Sequence, residues 1–169
     1  MKTTLITGGI GSGKSAIRRY LESKGYPVYD CDSRCKALYD EIPGFRECLE
    51  RELALPFDRW NEIFRDEALR LKLESLVLPA LMEDLLGWKE AQCAQRCFVE
   101  SATALDKPLL RGLWDEVWLV TSDWNLRLGR NPKVAERAAI QHYDSSKADV
   151  VITNNGTLDE LYRQTDKLL

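Results

Sequence analysis

The hydrophobic and polar positions of the chain alternate between short apolar runs and longer segments with helical spacing. Runs rich in β-branched and aromatic residues predict strands, and apolar residues three or four positions apart predict helices between them. The predicted strands cover residues 3–7, 26–29, 97–99, 116–121 and 149–153. Strands that are separated by helical stretches indicate an α/β fold, in which helices cover both faces of a parallel sheet.

One stretch between the second and third strands, residues 33–95, has helical spacing and almost no strand signal. Turn signals at Pro43-Gly44 and Pro56 divide it, and an apolar stripe runs from Leu69 to Leu86 across Pro79. A crossover between parallel strands needs only about a dozen residues. This helical insertion is therefore either an acceptor-binding element or additional core packing.

The glycine-rich stretch after the first strand carries the strongest chemical signal. Gly8 to Ser15 fits G-x-x-x-x-G-K-[ST], which predicts a nest of backbone N–H groups around phosphates at a helix N-terminus. Lys14 would reach the β- and γ-phosphates, and the Ser15 hydroxyl would ligate Mg²⁺. The predicted nucleotide-binding residues here are Gly9, Gly11, Ser12, Gly13, Lys14, Ser15 and Ala16. The alternative is a glycine-rich turn that binds nothing.

Carboxylates follow two of the predicted strands. Asp30 and Asp32 come after the second strand and Glu100 after the third, at the sheet edge where open α/β sheets bind ligands. One of the two aspartates would accept the proton of a substrate hydroxyl in phosphoryl transfer, or it caps the helix predicted to begin near Ser33. Glu100 would hold Mg²⁺ through water, position the acceptor, or cap a turn.

Arginines are frequent between the fourth and fifth strands. Arg127, Arg130 and Arg137 would clamp phosphates from a lid at about residues 124–142, or they are solvated surface residues. Bidentate phosphate recognition suits arginine, and we favour Arg130 and Arg137 for it. His142, the only histidine, is predicted to be a surface or capping residue.

Composition narrows the class of protein. A chain of 169 residues is long enough for one domain with a sizeable core, and its net charge of −3 argues against general nucleic-acid binding. No apolar run reaches membrane-spanning length, and the N-terminus lacks the features of a signal peptide. We therefore expect a cytoplasmic protein with a small-molecule substrate, whose five cysteines are reduced thiols and not zinc ligands.

With these motifs in place, the chain resembles the dephospho-CoA kinase family of P-loop kinases over nearly its whole length. The matching segments are Thr7 to Ser15, Asp30-Cys31-Asp32, Phe57-Asp58-Arg59, and Ala148 to Ile152 with Asn154-Asn155-Gly156. The resemblance implies a three-layer P-loop NTPase fold with a five-stranded parallel sheet, a helical insertion and a short lid. We accordingly expect a core of residues 1–32 and 96–169, with an acceptor-binding insertion at about 33–95.

The resemblance also implies the reaction. ATP with Mg²⁺ would supply a phosphoryl group to the ribose 3′-hydroxyl of dephospho-CoA, with Asp32 as the base and Lys14, Arg130 and Arg137 stabilising the transferred group. Asn155 would lie near the adenine of ATP. The alternatives are a kinase for another nucleotide or nucleoside, and an ATP-binding module without efficient kinase activity.

Two departures from the family pattern concern the acceptor and the lid. Leu78-Pro79 stands where the family usually has His-Pro, and the lid segment, residues 121–141, is several residues shorter than usual. We therefore expect MgATP binding to be retained while phosphorylation of dephospho-CoA is slow.

Overall fold

The computed structural model describes residues 1–138 and 145–169, without the side chains of residues 64, 137 and 138. The described residues form two compact units. The first consists of Met1–Asp30 and Gln92–Leu169, and the second of Cys31–Ala91. The first unit contains the sheet and the phosphate loop.

The sheet of the first unit has five strands, all parallel, in the order β2-β3-β1-β4-β5. The strands are β1 (Lys2–Thr7), β2 (Val28–Asp30), β3 (Arg96–Glu100), β4 (Glu116–Thr121) and β5 (Val150–Thr153). The predicted parallel α/β sheet is thus confirmed. β2 begins later than predicted because the Tyr26 N–H donates to the Leu21 carbonyl (3.1 Å) and Pro27 has no N–H to pair.

Helices α1 (Lys14–Ser23) and α7 (Leu158–Asp166) pack against each other beside the sheet. The rings of Tyr20 and Tyr162 stack with their centroids 4.1 Å apart. Between these helices and the strands lies a fully buried apolar cluster: Ile6, Ile17, Leu21, Phe98, Trp118, Val120, Ile152 and Leu161. Because side chains alternate along a strand, Leu5 and Val99 point to the opposite face, where they are equally buried. Burial on both faces is typical of the central layer of a three-layer α/β fold.

The segment between β4 and β5 contains α5 (Trp124–Arg130) and α6 (Val134–Ala138). These two helices lie in the predicted lid at about residues 124–142, whose remaining residues, 139–142 with His142, lie outside the described part of the chain. Short 3-10 helices occupy Ala104–Asp106, Pro108–Leu110 and Ser145–Lys147. None of the described helices is long and apolar enough to cross a membrane.

The second unit is entirely helical over its described residues. It contains α2 (Cys31–Glu41), α3 (Phe45–Leu53), a 3-10 helix (Phe57–Arg65) and α4 (Glu67–Glu90). The first two breaks between these helices fall at the predicted turn signals, Pro43-Gly44 and Pro56, and the third falls at Asp66, which caps α4. A small core of Leu53, Leu55 and Ile63 holds α3 and the 3-10 helix together, with Trp60, Leu69 and Leu73 packed around it.

Helix α4 runs through Pro79 without interruption, and its buried residues are Val77, Leu81 and Leu85. Leu86, which the sequence pattern placed in the apolar stripe, is 39% exposed. Arg34 of α2 forms an ion pair with Asp84 of α4 at 2.8 Å, which ties the two helices together.

The structure corrects the expected start of the helix that follows the second strand. The strand does not continue past Asp30, and α2 begins at Cys31 instead of near Ser33. Asp30 is therefore the last residue of β2, whereas Asp32 lies in the first turn of α2.

A capping box at the start of α7 offers a test of this fold. The Thr157 hydroxyl accepts from the Glu160 N–H (3.2 Å), and the Glu160 carboxylate accepts from the Thr157 N–H (2.8 Å). We expect Thr157→Ala to lower the free energy of unfolding by about 1 kcal/mol, since helix N–H groups lose their acceptor. Urea denaturation measures the change. Thr157→Ser keeps the hydroxyl and is the control, so equal losses in both variants would contradict a capping role.

Candidate functional site: the phosphate loop and the carboxyl edge of the sheet

The phosphate loop, residues 8–15, connects the end of β1 to the start of α1. Gly8, Gly11 and Gly13 have φ values of 140°, 76° and 113°, which side chains of L-amino acids rarely allow. Space is also restricted. A Cβ atom on Gly8 would overlap the Val120 carbonyl oxygen, and one on Gly13 would overlap the Asn154 side-chain amide. The loop thus needs glycine both for its backbone conformation and for its close contacts.

The polar side chains inside the loop are largely withdrawn from solvent. Lys14 is only 8% exposed, and its ammonium group donates to the Gly9 carbonyl at 3.1 Å. The Ser12 hydroxyl is buried without a hydrogen-bond partner among the described residues. The buried Ser12 hydroxyl costs free energy unless a ligand supplies a polar atom, and Lys14 brings a positive charge to the same loop. Phosphate oxygens suit both groups.

Ser15, the next residue, connects the loop to the end of β3. Its hydroxyl donates to Glu100 Oε1 at 2.8 Å, and Glu100 Oε2 lies 2.9 Å from Arg18 Nε. Burial raises the pKa of Glu100, while the Ser15 hydrogen bond and the charges of Lys14 and Arg18 oppose the rise. Three roles were considered for Glu100: holding Mg²⁺ through water, positioning the acceptor and capping a turn. This geometry favours the first, because Glu100 contacts the Ser15 hydroxyl that would ligate the metal ion.

Two asparagines after β5 contact the same region. The Asn154 side-chain amide donates to the Ser12 carbonyl at 2.7 Å and is buried. Asn155 instead exchanges two hydrogen bonds with Asp123, at 2.8 and 2.9 Å, which joins the end of β5 to the start of α5. Asn154 therefore supports the loop directly, a contact that the sequence analysis missed because Asn154 and Ser12 are 142 positions apart in the chain.

Arginines from α5 also lie against the loop. Arg127 Nε donates to the Ile10 carbonyl at 2.9 Å. Arg130 Nη1 donates to the Gly11 carbonyl (3.2 Å) and to the Ser122 hydroxyl (2.9 Å), and its Nη2 to the Asn154 carbonyl (3.1 Å). Arg127 is thus as close to the loop as Arg130, although the sequence analysis preferred Arg130 and Arg137. The side chain of Arg137 lies outside the described residues.

The remaining predicted site residue, Asp32, belongs to the second unit, where its side chain is exposed in the first turn of α2. The sequence reasoning also missed Arg18. Its signal is weak, because an arginine on an amphipathic helix is most often a solvated surface residue, and only the fold places it beside Glu100.

Over nearly its whole length, the chain is similar in sequence to known enzymes. No protein-family model matches the chain. A dephospho-CoA kinase of Shouchella clausii is 33% identical over 186 aligned positions, which cover 94% of this chain and 92% of the relative. The chain belongs to the dephospho-CoA kinase family.

Solved structures agree with the dephospho-CoA kinase assignment at the level of the fold. The TT1252 protein of Thermus thermophilus matches with a TM-score of 0.81 and 26% identity, over 99% of this chain and 95% of that one. A dephospho-CoA kinase from Campylobacter jejuni matches with a TM-score of 0.62 and 16% identity, over 99% and 98%. The 186-position alignment exceeds the 169 residues of this chain, so this chain lacks residues that its relative has.

Gly13 offers a direct test of the loop. We expect Gly13→Ala to cost about 1 to 3 kcal/mol, because a Cβ atom is strained at this φ and displaces the Asn154 amide. MgATP affinity should fall at least about tenfold as the loop changes shape. Thermal denaturation and calorimetry measure the two effects.

The matched control is Gly129→Ala in α5, where an added Cβ atom meets nothing within 4 Å. It should leave MgATP affinity unchanged. If both alanine variants behaved like the unmodified protein, the close contact at Gly13 would have no functional importance.

Proposed function

We propose that this protein transfers the γ-phosphoryl group of ATP to the ribose 3′-hydroxyl of dephospho-CoA, giving coenzyme A. The observation that carries the proposal is the buried Lys14 ammonium group inside a loop whose backbone only glycine permits. Membership in the dephospho-CoA kinase family supports the choice of acceptor. In phosphoryl transfer the protein mainly positions the reactants and stabilises charge.

The nucleotide would bind to the loop through backbone N–H groups and Lys14. Gly9, Gly11, Ser12 and Gly13 would surround the β-phosphate together with the Ser15 N–H at the start of α1. The Ala16 N–H, which donates to the Gly13 carbonyl at 3.0 Å in this structure, would also face the nucleotide. Lys14 would exchange its bond to the Gly9 carbonyl for phosphate oxygens. Asn155 would contribute to the nucleotide site from the end of β5.

The residues present also fit a magnesium ion. The Ser15 hydroxyl would ligate it directly and Glu100 would act through a water molecule, since oxygen ligands and retained waters are typical of Mg²⁺ sites. When bound there, Mg²⁺ would supply positive charge that neutralises the charge developing on the transferred phosphoryl group.

Asp32 is the proposed base. Asp30 lies 3.7 Å from Arg18, so its charge is already engaged within the first unit. The Asp32 side chain is exposed in the first turn of α2, and the resemblance to dephospho-CoA kinases assigns the base to this position, so Asp32 is the candidate for accepting the hydroxyl proton. Arg130 and Arg137 would stabilise the transferred phosphoryl group, and Arg127 is a third candidate because it contacts the same loop.

The acceptor is proposed to bind to the helical second unit. There Leu78, half-buried in α4, occupies the place where the family usually has histidine. The loss of a polar contact to the acceptor would weaken its positioning, and a small misplacement can cost about 10²-fold in rate.

Lys14→Ala tests the nucleotide site. We expect turnover of ATP to be abolished and MgATP affinity to fall, because the phosphates lose their principal cation. In the unmodified protein, ATP consumption should depend on added dephospho-CoA. Lys24→Ala, which removes an exposed lysine at the end of the same helix, is the control. Turnover that persisted in Lys14→Ala would overturn the assignment of the loop.

Asp32→Asn tests the base. Turnover should fall by about 10² to 10⁴-fold while ATP affinity is largely retained, since an amide has nearly the same shape but cannot accept the proton. Asp30→Asn should have a milder effect on steady-state kinetics. The opposite order of effects would transfer the role of base to Asp30.

The short lid predicts a slow chemical step even with both substrates bound. Arg130 is held by the Gly11 and Asn154 carbonyls and by Ser122, and these contacts must break before it reaches a phosphoryl group. We therefore expect single-turnover kinetics at saturating dephospho-CoA to give a rate below the usual kinase range of roughly 1 to 100 s⁻¹. A rate within that range would show that the lid is long enough.

A further inference from the structure

Arg18 lies among three carboxylates of the first unit. Its Nη1 donates to Glu22 Oε1 at 2.8 Å, one turn later in α1. Its Nε lies 2.9 Å from Glu100 Oε2 and 3.7 Å from Asp30 Oδ2. The Glu22 contact is an ordinary pair along a helix surface. Through its contacts with Asp30 and Glu100, the Arg18 guanidinium group lies at the ends of both β2 and β3.

Those two carboxylates are neighbours in the sheet. Asp30 and Glu100 are paired in register as the last residues of the parallel strands β2 and β3. Adjacent strands lie about 4.8 Å apart, so two negative charges at this edge repel each other unless a cation lies nearby. Their side chains are only 23% and 9% exposed, which limits screening by water. Arg18 is a cation positioned to balance this pair.

The geometry of the contact points to a charge effect more than to a directional bond. Arg18 Nε is close to Glu100 Oε2, yet neither atom is aligned for a hydrogen bond. Glu100 uses its other oxygen to accept from Ser15. The carboxylate can therefore keep its bond to Ser15 while the balance of charge around Oε2 changes.

We propose that Arg18 is a built-in counter-cation for the Asp30–Glu100 pair, which keeps the affinity of the Ser15–Glu100 site for a divalent cation low until nucleotide phosphates are present. The proposal rests on the magnesium site of the proposed function. Arg18 touches neither the metal nor the nucleotide in this arrangement, so it is a positioning residue that acts through Glu100. The metal ion would enter together with the nucleotide instead of occupying the site alone.

The test measures binding of Mn²⁺ alone, without nucleotide or dephospho-CoA, by electron paramagnetic resonance on the whole chain. Arg18→Met should bind Mn²⁺ about tenfold more tightly than the unmodified protein, because one positive charge at a partly screened position is lost. Mg²⁺ should also raise the melting temperature of Arg18→Met more than that of the unmodified protein. A purely structural role of Arg18 would lower stability without changing this response to metal.

Two matched variants separate the local charge from general effects. Arg19→Met removes the neighbouring, exposed arginine of α1 and should leave Mn²⁺ affinity unchanged. Arg18→Lys retains the charge and should restore the weak binding of the unmodified protein. Adding Glu100→Gln to Arg18→Met should abolish the gain. Arg18→Gln takes the place of Arg18→Met if the methionine variant does not fold.

Equal Mn²⁺ affinity of Arg18→Met and the unmodified protein would overturn the proposal, and so would an equal gain in Arg19→Met. Because no phosphoryl acceptor is present, these results do not depend on whether dephospho-CoA is the substrate. A failure of the proposed kinase reaction would instead be seen as ATP turnover that does not respond to dephospho-CoA.

Discussion

The close approach of the phosphate loop to its neighbours is the constraint on which the site depends. Gly8 lies against the Val120 carbonyl and Gly13 against the Asn154 amide, in positions where any Cβ atom would overlap. This packing brings together the ends of β1, β4 and β5, which are far apart along the chain. The Asn154 bond to the Ser12 carbonyl then holds the loop in a shape that leaves Lys14 inside it.

Charge at the carboxyl edge of the sheet is arranged around that loop. Asp30 and Glu100 are negative, and Arg18 lies between them and Glu22. Partial burial makes each of these charges costly unless it is paired. This arrangement of paired charges also suits phosphate chemistry, because a preorganised set of charges needs little rearrangement when a charged substrate binds. The same few charged side chains therefore affect both the stability of the fold and the proposed chemistry.

Two arginines of α5 contact the phosphate loop directly. In this structure Arg127 and Arg130 donate to carbonyl groups of the phosphate loop. Carbonyl oxygens and phosphate oxygens are both acceptors, so in the proposed reaction each guanidinium group would exchange one kind of acceptor for the other. The difference in free energy between binding loop carbonyls and binding phosphate oxygens would determine how effectively these arginines assist phosphoryl transfer. The presence of the arginines alone would not.

The sequence by itself determined the parallel α/β class, the phosphate loop and the helical insertion, because strand periodicity, glycine-rich loops and turn residues are local signals. It placed the start of α2 near Ser33 instead of at Cys31, since residue propensities do not locate the exact position at which a strand ends and a helix begins. Only the tertiary structure decided the contacts of Arg18 and Ser15 with Glu100 and of Asn154 with Ser12, which join residues 82 or more positions apart. Their hydrogen bonds and ion pairs exist because parallel strands end at one edge, and no local pattern encodes that proximity.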